Sequence, residues 1–203
     1  MVAESRTVPG RRWTYSELQA LNDERRVELY DGELVEMTAP KIVHQLVLGE
    51  LHTILHMFVR EHGLGRVYLA PHDVYISETR FFEPDLSFVS RGRLQSEQIE
   101  SDKGDRLIAP PDLIVEIISE STGRNDRVKK FNAYAAFGVS HYWIIDPEEK
   151  TLQAFALEKG RYVVEAALTA ITDESGADDE FFEPSLFPGL QIPLARLFDT
   201  QQL

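Results

Sequence analysis

The segment Asp112–Ile118, DLIVEII, restricts the fold more than any other stretch of the chain. It is a nearly continuous β-branched, apolar run, the composition of a strand covered on both faces. Side chains alternate across a strand, so Asp112, Ile114, Glu116 and Ile118 share one face. Glu116 therefore places a carboxylate inside an apolar strand, where an unpaired charge costs several kcal/mol on a rough scale. Something must offset that cost. At ~3.3 Å per residue Asp112 is roughly 13 Å from Glu116, too far to share one ion directly. The second acid must come from another strand, and Asp85 in FFEPDLSFV, which follows a proline beside an apolar run, is the candidate.

The remaining chain reads as elements that surround this strand. Thr14-Tyr15-Ser16-Glu17 has capping-box spacing and opens a short helix reaching about Leu21. RRVELYDGELVEMT contains two alternating runs separated by Asp31-Gly32, a hairpin signal. From Lys41 to Arg60 the apolar positions keep helical spacing, and Gly63 and Gly65 end the helix. Strand-like runs follow at Arg66–Leu69, Asp73–Ile76 and Asp85–Val89, whereas Arg91–Ala109 is polar without a firm pattern. A helix over about Asn125–Phe137 stops at Gly138, and Val139–Ile145 is the next strand. Thr151–Leu157 and Arg161–Ala167 form a terminal hairpin, and FPGLQIPLARLF packs back on the body.

Strand, helix and strand in the order Asp112, Phe137, Ile145 predict a crossover unit. The fold class is α/β or α+β, with a central mixed sheet flanked by helices. A chain of 203 residues fits one domain. Its expected parts are an N-terminal helix and hairpin over about 13–40, a core over about 41–147, and a hairpin with tail over about 148–203.

Composition narrows the chemistry. With no cysteine, disulfides, iron–sulfur clusters and thiolate zinc sites are excluded. No apolar run approaches the ~18 residues of a membrane helix and MVAESRTVPGRRW is no secretory signal, so a soluble, cytoplasmic protein without membrane contact is expected. A net charge of −13 argues against a surface built generally to coat DNA, yet leaves room for a local basic cleft. Arg124, Arg127, Lys129 and Lys130 cluster in that sense, while the acidic stretch Asp173–Glu183 reads as a solvated loop.

Mg²⁺ commonly takes one or two protein carboxylates, with water and substrate phosphate completing its shell. Asp85 and Glu116 from separate strands fit that demand. Lys130 lies on the helix after the Glu116 strand, four residues from Tyr134, so the two share a helix face.

These segments carry a resemblance. ELYDGELVEM, His44-Gln45, EPDLSFV, APPDLIVEIISEST, the Lys130–Tyr134 spacing, GVSHYWIIDP and the closing FPGL resemble, in order and over nearly the whole chain, the Uma-two family of restriction endonuclease-like proteins. The resemblance implies a PD-(D/E)XK nuclease core in which Asp85 is the acid of the PD element and Glu116 the acid of the second. The chain departs from the general pattern in having Ile118 where that motif has lysine; the family implies Lys130, on the following helix, in its place. The catalytic set is then Asp85, Glu116 and Lys130, with Mg²⁺ or Mn²⁺ on Asp85 and Glu116. His44, Tyr134 and Arg127 are the expected substrate contacts.

Each residue also has a plainer reading. Asp85 has the placement of a turn carboxylate capping amides, Glu116 that of a buried partner of an arginine, Lys129 that of a solvated lysine and His44 that of a structural histidine. Glu28 and Glu33 are expected to support the hairpin, Tyr142 and Trp143 to be core, and His52 and His56 to lack a third metal ligand. Ser119, Ser121 and Thr122 are expected to cap the next helix. The function expected is metal-dependent DNA hydrolysis, by a homodimer associating through exposed apolar residues of GVSHYWIIDP and FPGLQIPLARLF. The alternative is a catalytically inactive nuclease-fold module that binds nucleic acid or a protein partner.

Overall fold

A computed structural model describes residues 11–21, 26–96, 98–101, 104–118, 124–170 and 180–200, with backbone alone at 124–127. Helix α1, Tyr15–Leu21, begins at the capping box: the Thr14 amide donates to Glu17 Oε2 at 2.9 Å and the Glu17 amide to Thr14 Oγ1 at 3.2 Å. Strands β1 (Val27–Tyr30) and β2 (Glu33–Glu36) form the hairpin. Its turn residues Asp31 and Gly32 have φ of 52° and 83°, the twist that suits a two-residue connection.

Helix α2, Ile42–Glu61, is followed by β3 (Gly65–Leu69), β4 (Asp73–Ser77), β5 (Arg80–Phe82) and β6 (Leu86–Ser90). The patternless interval contains α3 (Arg91–Ser96) and the two-residue β7 (Arg106–Leu107). Then come β8 (Leu113–Ile117), α4 (Arg124–Phe137), β9 (His141–Asp146), β10 (Thr151–Glu158) and β11 (Arg161–Thr169). The tail supplies β12 (Phe181–Phe182), β13 (Ile192–Pro193) and α5 (Leu194–Leu197).

The central sheet runs β11-β10-β9-β8-β6-β3 and is mixed, because β8 and β9 are parallel across the α4 crossover while their neighbours are antiparallel. The N-terminal hairpin does not extend it. It belongs to a second sheet, β2-β1-β5-β4-β7, which it joins through Leu29 opposite Phe81. The joining strand is only Arg-Phe-Phe, too short to show a period of two.

β8 is covered on both faces, as its composition demands. Leu113, Val115 and Ile117 pack with the buried stripe of α2 (Val47, Leu51, Leu55, Val59) and the tail residues Phe187, Ile192 and Leu197. Ile114 and Ile118 face the other way, toward Tyr134 of α4 and Phe82 and Val74 of the second sheet. Each large apolar side chain buried this way contributes about 1.5–3 kcal/mol. By length and a mean hydropathy of 1.3, α2 is the described helix apolar enough to cross a membrane. Its stripe of core residues accounts for much of that apolarity.

One expectation needs correction. The apolar residues of GVSHYWIIDP and FPGLQIPLARLF are not exposed: Tyr142, Trp143, Ile145, Leu190, Ile192, Leu194 and Leu197 are buried, so they offer no surface for self-association. The reason is that β9 is a central strand and the tail folds across α2. The proposed acidic loop and the serine and threonine caps fall largely or wholly outside the described residues.

Two adjacent residues leading into β4 oppose each other in pH response. Burial lowers His72 from 6.5 to about 4, its Nε2 lying 2.9 Å from Ser87 Oγ. Burial also raises Asp73 from 3.8 to about 6, with the Tyr15 hydroxyl donating to it at 2.8 Å. Between pH 4 and 6.5 the unfolded chain binds the His72 proton more tightly, so His72 makes stability rise with pH. Asp73 holds its proton more tightly when folded, so it makes stability fall as pH rises from 3.8 to about 6. Each effect is on the order of 3 kcal/mol and the two nearly cancel. Asp73→Asn is expected to leave a protein that weakens on acidification to pH 4, and His72→Gln one that strengthens relative to wild type. Urea midpoints at pH 4.5 and 7 report this; parallel pH profiles for the two variants would contradict it.

Candidate active site

Strand alternation turns Glu116 toward α4, on the face shared with Ile114 and Ile118. There Lys130 and Tyr134, one helical turn apart, both meet its carboxylate. Lys130 Nζ lies 3.0 Å from Oε1 and 3.1 Å from Oε2, and the Tyr134 hydroxyl donates to Oε1 at 2.8 Å. Burial raises Glu116 to about 7; Lys130 opposes that rise, while Asp85 and Glu28 add to it by repulsion. The plainer reading of Glu116 thus has its partner, a lysine rather than an arginine.

Asp85 stands between β5 and β6. The register places Leu86 opposite Val115, which brings Asp85 level with Glu116 on the adjacent antiparallel strand. Residues so opposed have Cα atoms about 5 Å apart. Asp85 Oδ2 accepts the Ile117 amide at 2.7 Å, and its Oδ1 is 3.1 Å from His44 Nε2. His44 occupies the first turn of α2, and its buried Nδ1 has no hydrogen-bond partner among the described residues. Asp85, Glu116, Lys130, Tyr134 and His44 therefore converge.

Arg127 lies in α4, and its side chain is outside those described. Lys129 is exposed and points elsewhere, its ammonium 5.4 Å from the centre of the Tyr30 ring. Asp112 sits at the far end of β8, accepting the Ser90 amide at 2.6 Å.

Sequence reasoning missed Glu28. Its Oε1 lies 2.8 Å from Lys130 Nζ and accepts the Glu83 amide at 2.9 Å, while Tyr30 donates to Oε2 at 3.1 Å. Far from merely bracing the hairpin, it is the second counter-ion of Lys130. Burial opposes the charge on Lys130, but Glu116 and Glu28 together hold it protonated, well above the usual lysine range. The argument applied to LIVEII holds equally for VELY, whose Glu28 is buried among apolar neighbours. Flanking arginines and a run of four residues concealed it.

Asp85 and Glu116 keep 15% and 16% of their side-chain surface open, against 4% for Glu28. Of the three carboxylates, the first two are the more open to solvent. Among the described residues no group of three or more His, Asp or Glu is arranged around a metal position. The donor set is two hard carboxylates, which suits Mg²⁺ or Mn²⁺ completed by water and phosphate and does not suit structural zinc. The fit rests on charge as well: a cation between them would offset the repulsion that raises Glu116. His52 and His56 lie with ring centres 5.2 Å apart and their planes tilted by 37°, without a third ligand among the described residues.

A sequence model of the Uma2 family, described as "Putative restriction endonuclease", matches residues 13–195. No curated protein matches the chain. Among solved structures, a "putative nuclease belonging to DUF820" from Anabaena variabilis ATCC 29413 superposes with a TM-score of 0.70 at 20% identity, covering 91% of this chain and 97% of that one. At that identity the likeness establishes the shared fold, a mixed α/β architecture.

Proposed function

The chain belongs to the Uma2 family, and from that premise we propose that it is a divalent-metal-dependent endonuclease that hydrolyses DNA phosphodiester bonds. The observation that carries this reading is the meeting of Asp85 and Glu116 from adjacent antiparallel strands, with the Lys130 ammonium on Glu116. Asp85 and Glu116 are the residues to hold Mg²⁺ or Mn²⁺. When bound, such an ion supplies a water activated at neutral pH and neutralises charge developing on the phosphate. Lys130 is the remaining cation, placed to steady the attacking water or the scissile phosphate. Tyr134 orients Glu116 through its hydroxyl, and His44 orients Asp85. Cutting both strands with one centre per chain calls for two copies, so a homodimer on DNA belongs to the same proposal.

One observation favours a second reading, a non-catalytic module of the nuclease fold. Both Glu116 oxygens already have protein donors, and Lys130 is shared with Glu28. Supercoiled plasmid incubated with the full chain separates the two. Nicking in Mg²⁺ or Mn²⁺, abolished by EDTA, is the expected result. No cleavage with any divalent ion, together with no calorimetric Mn²⁺ binding, would leave the module reading.

A further inference from the structure

We propose that a groove at the C-terminal end of α2 is a second nucleic-acid contact, which holds the phosphate backbone of duplex DNA away from the Asp85–Glu116 centre. The inference rests on the nuclease reading for its substrate class, and deepens it. The groove, about 630 Å³, is lined by Arg60 of α2, Arg66 of β3 and Arg91 at the start of α3, together with His56 and Tyr68. Neither Asp nor Glu lines it, in a chain with 34 acidic and 21 basic residues. Glu100 touches the lining at Arg66 and accepts from the Tyr68 hydroxyl at 2.6 Å, but three arginines outweigh that one carboxylate, and this is the local feature by which a protein of net charge −13 can meet a polyanion.

The arginines are available. Arg66 contacts Glu100 at 3.3 Å in an exposed pair, which water and salt screen and a phosphate can displace. The guanidinium groups of Arg60 and Arg91 form no ion pair among the described residues. Arg60 alone would be explained by the negative end of the α2 dipole, but Arg66 and Arg91 come from other elements. Gly63 and Gly65 line the groove as well. Gly63 has a φ of 61°, and the position of a Cβ on it lies 3.6 Å from Arg91 Nη1. A Cβ on Gly65 would lie 2.0 Å from the Val89 carbonyl oxygen, so glycine there lets β3 approach β6 closely at the edge of the groove.

The spacing suits one duplex that spans both places. Arg60 follows His44 by sixteen positions on the same helix, roughly 24 Å at 1.5 Å per residue. That is about seven base pairs at 3.4 Å per phosphate along one strand.

The test uses the full chain in EDTA, with anisotropy of a fluorescein-labelled 24-base-pair duplex over a series of NaCl concentrations. Arg60→Ala/Arg91→Ala is expected to weaken binding by about tenfold or more and to reduce the slope of log Kd against log salt by about 2. Hydrolysis of bis(p-nitrophenyl) phosphate in Mn²⁺, a diester too small to reach the groove, is expected to be unchanged in this variant. Unchanged duplex affinity and salt slope would overturn the proposal. So would wild type that binds no duplex, a loss seen only with single-stranded RNA, or a variant altered only in its mass by light scattering. Arginine-dependent duplex binding by a wild type that hydrolyses neither substrate would keep the groove and remove the nuclease reading. Duplex DNA binding and cleavage both indifferent to the arginines would do the reverse.

Discussion

If the proposed metal-dependent cleavage is right, a Glu116→Gln protein is expected to fold as wild type does and to lose that cleavage by about a thousandfold or more, the loss of several kcal/mol of charge stabilisation at the metal. The amide retains the shape of the side chain and an oxygen for the Tyr134 hydroxyl. Lys130 keeps Glu28 as its counter-ion at 2.8 Å, so no buried cation is stranded. The change should not weaken the fold. Burial already raises Glu116 from 4.5 to about 7, so the folded state favours its proton across that interval and its contribution to stability falls as pH rises through it. The same proton competes with a metal. In wild type, Mn²⁺ affinity should fall below pH 7 by up to about tenfold per pH unit, a dependence that Glu116→Gln removes together with the binding. Calorimetry with Mn²⁺ at pH 6 and 8 measures both. Equal Mn²⁺ affinity in wild type and variant would sink the assignment of Glu116 as a metal ligand.

Lys130→Met carries the largest expected stability loss, about 3–5 kcal/mol at pH 8. The ammonium bridges Glu28 and Glu116, and its removal leaves two carboxylates facing each other in an apolar surround that includes Phe82 and Tyr134. At pH 6 the loss should shrink, because Glu116 then carries a proton. Adding Glu28→Gln should restore a substantial part of the stability but none of the cleavage, which separates the structural role of the pair from the chemical role of the lysine. Urea denaturation of wild type, the single variant and the double variant at both pH values gives the comparison. A loss below ~1 kcal/mol at pH 8 would mean that water solvates the trio as a surface pair.

How much of this was legible depends on how far apart the cooperating residues lie in the chain. Thr14 and Glu17 cap a helix within one turn, Asp31-Gly32 bends a two-residue connection, and Lys130 and Tyr134 share a face by spacing alone. A carboxylate inside LIVEII announces an obligatory partner from composition alone. The partner's identity is another matter. Glu28 lies far from Lys130 in the chain and reaches it through a second sheet whose joining strand is three residues long. The arginines of the basic groove come from three elements, each of which reads singly as a solvated cation.

The sequence by itself determined the longer elements, the two-faced burial of β8 and the need for compensation at Glu116, because alternation and helical repeat act within a few residues. The tertiary structure alone decided that Glu28 shares Lys130, that Asp85 stands level with Glu116, and that the apolar residues of GVSHYWIIDP lie inside rather than out. Those outcomes depend on which strands pair and which faces pack, and pairing across long stretches of chain leaves no periodic trace in any one of them.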